Sequence, residues 1–296
     1  MAYRVTHTTE YRYASTVSSS FGEIVMLPRE LPRQHCVSSA LTIQPQPHDL
    51  RERLDFFGNR TVYFAVLDPH TRLAVTATSL VRVTPEASDR PAGPPWEQAR
   101  EHLSGEPGDS DAADAFDARQ FALDSPQAAA SPALAAYAAP SFTPGRPVLD
   151  AAAELSSRIH GDFAYLPGVT RVTTTIDEVL ERRAGVCQDF AHVAIGCLRS
   201  VGLAARYVSG YLETTPPPGR ERLVGADESH AWLSVFVPGT GWVDLDPTNN
   251  KVVDGRYVTT AWGRDYTDVP PLKGVIFTEG AKHDLKVSVD VEAVDG

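Results

Sequence analysis

The chain has 296 residues, of which 42% are hydrophobic and 22% are charged, a composition that supports one large globular domain or two ordinary ones. The formal net charge of -11 argues against a nucleic-acid partner, because phosphate backbones are bound by basic surfaces. The three cysteines are too few, and odd in number, for a disulfide framework. A chain of this length can also bury a sufficient hydrophobic core without disulfide bonds.

No segment has the pattern of a targeting or membrane sequence. The stretch MAYRVTHTTEYRY lacks the apolar region of a signal peptide, and no apolar run approaches the roughly 18 residues of a transmembrane helix. We therefore expect a cytoplasmic protein without a membrane partner. The motifs CxxC and HExxH are also absent from the sequence, which argues against a structural zinc site or a zincin.

Residues 1–83 are predicted to form a β-domain. Runs of β-branched and aromatic residues alternate with turn residues, as in YRVTHTTEYRY, TVYFAVLD and RLAVTATSLVRV. Strands at this short spacing are typical of a β-sandwich-like domain. The composition then changes over residues 84–146, where a Pro/Gly-rich stretch precedes Ala-rich helical pieces, and we predict a Pro/Ala-rich helical connector.

Residues 147–296 show a compact α+β pattern with C-terminal strands. Two helical segments, VLDAAAELSSRIHGDF and TTTIDEVLERRAG, precede a third helix predicted from about Val186 to Val201 and ended by Gly202. Strand patterns follow in LAARYVSGYL, HAWLSVFVP, GWVDLDP and HDLKVSVDVEAV.

The third helix carries two cysteines in different positions. Cys197 lies in the middle of an apolar stripe with Phe190 and Leu198, and we predict a core thiol. Cys187 lies in the first turn after Gly185, where unpaired backbone N–H groups and the helix dipole favour the reactive thiolate. The same N–H groups could form part of an oxyanion hole. By itself this position fits a nucleophile or a second core cysteine.

A cysteine nucleophile needs a base, and the base usually needs an orienting group. His230 opens one predicted strand, and Asp246 ends the next. By itself, His230 could be a surface histidine, and Asp246 could simply begin an Asp-Pro turn. Their order in the chain after Cys187 favours a catalytic set. His192, five residues after Cys187, is a poorer base because it lies on a different side of the helix.

The strand register can be predicted from the apolar residues. Pairing Leu233 with Leu245 and Val235 with Val243 puts one apolar face on the core, and requires the three-residue connection Pro238-Gly239-Thr240. The same register puts His230, Trp232 and Asp246 on the other face. The histidine and the aspartate then lie diagonally, within side-chain reach.

These residues lie in motifs that resemble the transglutaminase-like superfamily, in its bacterial cysteine-protease branch with an N-terminal β-domain. The motifs are GVCQDFAH (185–192), YVSGYL (207–212), SHAWLSVFVPGTGWVDLDPTN (229–249) and GRDYTDVPPLKG (263–274). The stretches YRVTHTTEYRYASTVSSSFGEIVMLPR and LDFFGN are similar to the N-terminal domain of that branch. The resemblance covers nearly the whole chain, except for about residues 86–146.

The resemblance implies a papain-like α+β core, in which the cysteine helix packs on an antiparallel sheet, and a triad of Cys187, His230 and Asp246. It also implies acyl transfer through a thioester. Cys187 attacks a peptide or protein amide, protonated His230 releases the amine, and water or a second amine completes the reaction. Animal members use calcium, but no EF-hand-like loop is present here, and we expect neither a metal nor a cofactor.

Five residues beside the triad are secondary candidates. Gln188 and Tyr165 are candidates for a second oxyanion donor, and Asp189, Tyr211 and Trp232 for residues that support the triad. Three functions remain open: a peptidase or amidase, an amine-accepting transglutaminase or peptide-modifying ligase, and a non-catalytic binding module on the same fold. We expect the first.

Overall fold

The computed structural model describes residues 1–84, 91–105, 113–171, 173–213, 229–280 and 282–294. The helices are α1 (Trp96–Ser104), α2 (Ala113–Arg119), α3 (Pro132–Ala138), α4 (Val148–Asp162), α5 (Ile176–Arg182) and α6 (Cys187–Ser200). The strands are β1 (Ala2–Ile24), β2 (Gln34–Gln44), β3 (Asp49–Leu54), β4 (Arg60–Val66), β5 (His70–Val83), β6 (Ala164–Tyr165), β7 (Ala184–Gly185), β8 (Ala205–Leu212), β9 (Ser229–Val237), β10 (Gly241–Asp246), β11 (Lys251–Val252), β12 (Tyr257–Gly263), β13 (Leu272–Thr278) and β14 (His283–Val294). Single 3-10 turns lie at Gln120–Ala122 and Tyr266–Asp268.

The long strand β1 organises the N-terminal sheet. Its first half pairs with β5 and β14, and its second half pairs with β4 and β13. The register with β5 shifts between Arg12 and Val17, so that the strand passes from one half of the sheet to the other. β2 extends the sheet beyond β5, and β3 extends it beyond β4.

The two halves of this sheet enclose one apolar core. Ile43 of β2 and Val75 of β5 come from one half, and Val62 and Phe64 of β4 come from the other, yet all four are buried in the same cluster. The period-two alternation of buried and exposed residues along β1 supplies part of the inward face. The N-terminal unit is therefore β-sandwich-like, as its strand spacing predicts.

The C-terminal strands belong to this N-terminal sheet. We predicted residues 147–296 as a transglutaminase-like catalytic core with C-terminal strands, and the structure joins the last two of these strands to the N-terminal sheet. β13 pairs with residues 17–24 and β14 with residues 2–13. Their alternating pattern identifies strands, but it carries no information on which distant strand they pair with, because pairing depends on the whole surface of the sheet.

The predicted connector is helical, and much of its described part packs on α6 and the sheet of β8 to β12, which together form the second unit of the molecule. Ser131 caps α3 by accepting a hydrogen bond from the Leu134 N–H, and Pro132 follows at the first helical position. Leu134 and Tyr137 are buried in the same cluster as the residues of α6. Residues 113–146 are therefore structural parts of the second unit.

Helix α6 is the centre of the second unit. It begins at Cys187 and ends at Ser200, followed by Gly202 with a φ of +81°, as predicted. β8 and β9 pack on one side, and α3, α4 and α5 pack on the others. Every side chain from Asp189 to Arg199 is buried, so the helix is enclosed rather than amphipathic along one stripe.

An antiparallel sheet in the order β11-β10-β9-β8-β12 supports this helix. Leu233 pairs with Leu245 and Val235 with Val243, and residues 238–240 connect the two strands, which confirms the predicted register. The four apolar side chains are buried with α6 in the main core. The fold is therefore α+β, with the cysteine helix on an antiparallel sheet.

The two units share a buried interface. Tyr3, Val5, Tyr211, Val258 and Val291 belong to a cluster that joins the N-terminal sheet to β8 and β12. Side-chain amides continue this interface along the β12 backbone: Gln34 Nε2 donates to the Thr259 carbonyl at 2.7 Å, and Asn59 Nδ2 donates to the Trp262 carbonyl at 2.9 Å. These amides satisfy backbone groups of an edge strand that would otherwise lie open.

Candidate active site

The start of α6 is held by a buried carboxylate. Asp189 Oδ2 accepts hydrogen bonds from the Val186 N–H at 2.8 Å and from Thr170 Oγ1 at 2.7 Å. A Cβ at Gly185 would lie 2.5 Å from the same oxygen, so the carboxylate fits only against a glycine. Asp189, a predicted support of the triad, therefore acts through the helix end that presents Cys187.

The half-buried Cys187 thiol lies at this helix end, close enough to the His230 side chain to raise its pKa by hydrogen bonding and charge. The other partner of the ring is Asp246, whose Oδ2 lies 2.7 Å from His230 Nε2. Because Nε2 is taken by the carboxylate, Nδ1 is the ring nitrogen left for the thiol. The three predicted residues are thus assembled in the order thiol, imidazole and carboxylate.

Asp246 is completely buried but fully hydrogen-bonded. Its Oδ2 accepts from the Tyr257 hydroxyl at 2.7 Å and from Asn249 Nδ2 at 2.6 Å, and its Oδ1 accepts from the backbone N–H groups of Thr248 and Asn249. Burial acts to raise the pKa of Asp246, but the hydrogen bonds from His230, Asn249 and Tyr257 outweigh it, and the pKa is lowered. The carboxylate therefore stays ionised.

This ionised carboxylate sets the charge of His230. Burial acts to lower the pKa of the imidazole, but the hydrogen bonds to Asp246 and Cys187 prevail and raise the pKa from 6.5 to about 10. The folded site thus favours the imidazolium form at neutral pH. A cation in contact with a cysteine favours the thiolate, the nucleophilic form of that side chain.

Aromatic rings cover the histidine–aspartate pair. The centroid of the Trp232 ring lies 6.1 Å from that of His230, and the Tyr257 ring lies 6.0 Å from it. Trp232 is fully buried, so the pair is shielded from water on this side. This places the predicted supporting residue Trp232 beside the base.

Tyr211 lies elsewhere, and its predicted role beside the triad is wrong. Its hydroxyl is 2.9 Å from His7 Nδ1, and its ring packs in the cluster between the two units. The motif YVSGYL identifies the strand, and its Gly210 pairs with His230, but the side chain of Tyr211 packs against the N-terminal sheet and not against the triad.

The two candidate oxyanion donors flank the nucleophile. Tyr165 pairs with Gly185 through the short strands β6 and β7, and its ring lies edge-on to Phe190. Gln188 is half-buried in the first turn of α6. Tyr165 thus lies opposite Gly185, two residues before Cys187, and Gln188 directly follows Cys187, and the identity of the second donor stays a prediction.

The remaining cysteine and histidine of α6 have structural surroundings. Cys197 is fully buried in the main core. His192 is buried, and its Nε2 accepts a hydrogen bond from the Tyr266 N–H at 3.2 Å. Burial lowers the pKa of His192 to about 4, so the ring is neutral and its nitrogen is occupied.

Sequence reasoning missed three residues that hold the site. Tyr257 and Asn249 bind the carboxylate of Asp246, and Thr170 binds that of Asp189. Asn249 follows Asp246 by three residues within the DPTNN stretch, and this spacing could have indicated a turn that folds back on the aspartate. Tyr257 and Thr170 come from distant segments and have no such local signal.

Within the described ranges, no group of three or more His, Cys, Asp or Glu side chains is placed to hold a metal ion. Across those same ranges, no helix is both long and apolar enough to cross a membrane.

The fold and the site define a class: α+β proteins in which a cysteine at a helix start meets a histidine–aspartate pair on an antiparallel sheet. Residues 3–82 match the family described as the bacterial transglutaminase-like N-terminal region, and residues 135–247 match the transglutaminase-like superfamily. The chain belongs to the transglutaminase-like superfamily, in the bacterial group with this N-terminal region.

Similar proteins match different shares of this chain. An uncharacterized protein of Mycobacterium tuberculosis is 47% identical over 302 residues, covering 99% of this chain and 93% of the relative. The protein-glutamine gamma-glutamyltransferase of Pseudomonas aeruginosa is 34% identical over 120 residues, covering 38% of this chain and 18% of that protein. The structure of a "Putative Cysteine Protease" from Cytophaga hutchinsonii shares the fold, with a TM-score of 0.74 at 21% identity, over 100% of this chain and 92% of that chain.

Proposed function

We propose that this protein is a cysteine-dependent amide hydrolase, a peptidase or amidase that acts through a thioester on Cys187. The observation that carries the proposal is the position of the His230 ring, between the thiol of Cys187 and the buried carboxylate of Asp246. This arrangement supplies a nucleophile, a proton donor and an orienting group in one contact chain.

The first half of the reaction forms the thioester. The Cys187 thiolate attacks the amide carbonyl, and the backbone N–H groups at the start of α6 stabilise the charge that develops on oxygen. The imidazolium of His230 gives its proton to the nitrogen of the leaving amine, so that the C–N bond breaks without expelling an amide anion. Asp246 keeps the ring oriented throughout.

The second half regenerates the thiol. His230, now neutral, takes a proton from water as the oxygen attacks the thioester carbonyl, and the carboxylic acid product leaves from the restored Cys187–His230 pair. Cys187 and His230 are both partly exposed, so water can reach a thioester at this position. This access supports hydrolysis.

A second candidate is amine transfer, in which a primary amine replaces water. The similarity of 38% of this chain to the Pseudomonas aeruginosa gamma-glutamyltransferase favours testing it. The two reactions share the thioester and differ only in the acceptor.

A trapping experiment tests the proposal. An activated ester such as p-nitrophenyl acetate should acylate Cys187, seen by mass spectrometry of the intact protein and its peptides. The Cys187→Ala variant should not be acylated and should lose hydrolysis of a casein or peptide-amide substrate by at least ~1,000-fold. Cys36→Ala, on β2 of the N-terminal domain, is the matched control and should behave as wild type.

The acceptor is then tested by competition. Casein or a glutamine-containing peptide is incubated with and without a millimolar primary amine, and hydrolysis and amine incorporation are measured together. Hydrolysis that exceeds incorporation supports the leading proposal, whereas the reverse supports the transferase.

A third experiment distinguishes a catalytic protein from a non-catalytic binding module. The His230 imidazolium beside Cys187 favours the reactive thiolate, so iodoacetamide at neutral pH should alkylate Cys187 faster in wild type than in the His230→Ala variant. Equal alkylation rates in the two proteins, without acyl-enzyme, would establish the non-catalytic alternative.

A further inference from the structure

A cleft lies between the N-terminal domain and the sheet of the second unit, on the face that carries Trp242. Its volume is about 950 Å³, and its lining includes Arg33 and Phe57 from the N-terminal domain and Arg206, Trp242 and Trp262 from the second unit. Such a volume is in the range of small-molecule sites. Cys187, His230 and Asp246 are not among the lining residues, so this cleft is separate from the site described above.

The cleft contains a buried arginine held between two tryptophans. The guanidinium carbon of Arg206 lies 3.6 Å from the centroid of Trp262 and 4.3 Å from that of Trp242. Arg29 stacks on the other side of Trp262 at 3.5 Å. The result is an alternating stack of arginine and tryptophan, in which the plane of the Arg206 guanidinium is fixed by cation–π contacts.

Among the described residues, none accepts a hydrogen bond from the Arg206 guanidinium. The residue is only 8% exposed, yet its Nε has no hydrogen-bond partner within the described part of the chain. Buried guanidinium groups are normally paired, because an unpaired buried charge is costly. For comparison, Arg199 is also buried, and its guanidinium donates to four backbone carbonyls, those of Phe121, Ala128, Ala205 and Arg264.

Arg206 has no ion-pair partner among the described residues, and Arg29, which lies outside the lining of the cleft and donates to the Phe57 carbonyl and Asn59 Oδ1, is a second cation beside it. Arg33 Nη2 is bound to Asp244 Oδ2 at 2.7 Å, so these two lining charges neutralise each other. Asp117 is exposed at the rim, where water screens it. Burial lowers the pKa of Arg206 to about 9, with nearby Asp244 acting against that shift. A single negative charge would compensate this cation, whereas a dianion would also face Asp244.

We propose that this cleft binds an apolar monocarboxylate, with the carboxylate on the free edge of Arg206 and the apolar body against Trp242, Trp262, Phe57 and Phe121. The planar guanidinium matches a carboxylate in a two-point contact. The aromatic walls match a ring or a bulky aliphatic group. Two sources share this chemistry, the C-terminus of a peptide that ends in an apolar residue, and a free aromatic acid.

The first test needs no variant. N-acetyl-phenylalanine and 3-phenylpropionate represent the two sources, and N-acetyl-phenylalaninamide is the matched neutral control. Because two tryptophans form the walls, a bound acid should change the intrinsic fluorescence saturably and raise the melting temperature, whereas the amide should do neither. Tighter binding of the first or of the second acid identifies the source. Equal effects of acid and amide, no saturable binding of either acid, or tighter binding of inorganic phosphate would overturn the proposal.

The second test uses substitutions of Arg206. Arg206→Met keeps the length of the side chain and removes the unpaired charge, so the melting temperature should stay near that of wild type while acid binding weakens by roughly 30-fold or more. Arg206→Lys keeps the charge without the planar fork and should weaken binding by about 10-fold. Unchanged binding in both variants would contradict the proposal. If both variants have a strongly lowered melting temperature and the wild type binds neither acid, the stacking of Arg206 on Trp242 and Trp262 only stabilises the interface between the two units. Cys187→Ala should bind the acids as wild type does, which separates this test from that of catalysis.

Discussion

At the residue scale, the candidate site depends on how a buried carboxylate is satisfied. Asp246 is completely enclosed and accepts hydrogen bonds from one imidazole, one phenol, one amide and two backbone N–H groups. A buried charge without such partners would be expelled or neutralised. Tyr257 and Asn249 hold the Asp246 carboxylate in place, so they also help to orient His230. Sequence reasoning did not assign either residue to the site.

Removing one of these donors should weaken catalysis without abolishing it. Tyr257→Phe deletes the 2.7 Å hydrogen bond to Asp246 Oδ2 and leaves the other donors in place. We expect kcat to fall about 10-fold with little change in KM, and the free energy of unfolding to fall by about 1 kcal/mol. Tyr63→Phe on β4 is the matched control, and Asp246→Ala should lose at least ~1,000-fold in kcat. A KM effect larger than the kcat effect would mean that Tyr257 contacts substrate instead.

The shifted pKa values predict how stability changes with pH. The pKa of His230 is raised in the folded protein, from 6.5 to about 10, so its contribution is complete below pH 6.5 and is lost as pH rises through about 10. The pKa of Asp246 is lowered below 3.8, so its contribution is present above pH 3.8 and is lost on acidification through the lower folded value.

Urea unfolding of wild type should therefore show a falling free energy of unfolding between pH 6.5 and 10. The His230→Gln variant should show a shallower fall over the same range, because it lacks the group that titrates. Parallel curves for the two proteins would show that His230 is not protonated in the folded state.

At the element scale, the start of α6 determines where the thiol lies. The helix has no capping side chain at Val186, and Asp189 folds back on the backbone instead. The Asp189 side chain can reach the Val186 N–H only because Gly185, the last residue of β7, has no Cβ. The glycine is thus needed for close approach, not for an unusual backbone angle.

Substitution of Gly185 by alanine should disturb both stability and reactivity. The added Cβ would lie 2.5 Å from Asp189 Oδ2, so the carboxylate or the strand must move, at a cost of about 1–3 kcal/mol. We expect the rate of Cys187 acylation to fall at least ~10-fold as the helix start shifts. Gly161→Ala is the control: its Cβ meets nothing within 4 Å near the end of α4, and alanine there should be neutral or stabilising by up to ~1 kcal/mol. Similar losses in both variants would argue against the capping role.

At the scale of the whole molecule, the two units are built from interleaved parts of the chain. The sheet of the N-terminal domain contains β1 to β5 and also β13 and β14, so the cysteine-bearing unit is inserted between strands of one sheet. A fragment of residues 1–83 would leave the β14-facing edge of β1 unpaired, and such edges promote aggregation. The family's N-terminal region is therefore not a separable module here.

Two valines of β14 test this interface. Val291 is fully buried in the cluster between the units, whereas Val287 on the same strand is 49% exposed. Val291→Ala should lower the free energy of unfolding by about 2 kcal/mol, because it leaves a cavity in that cluster. Val287→Ala should change it by less than ~0.5 kcal/mol. Chemical denaturation measures both, and equal effects would show that β14 contributes only its backbone pairing.

The sequence by itself determined the local elements and the register that assembles the catalytic pair. The limits of α6, the pairing of Leu233 with Leu245 and the meeting of His230 with Asp246 follow from short-range patterns, because one apolar face must be buried and side chains alternate along a strand. The enclosure of α6 on every side was not predicted, since a helix pattern does not specify how many elements cover it.

The tertiary structure alone decided which distant surfaces meet. It turned Tyr211 toward the N-terminal sheet, brought Tyr257 onto Asp246, paired β14 with β1 and stacked Arg206 between two tryptophans. Each of these contacts joins segments far apart in the chain, and none has a local pattern that specifies its partner. Such pairings arise from the complementarity of complete surfaces, which forms only when the units pack together.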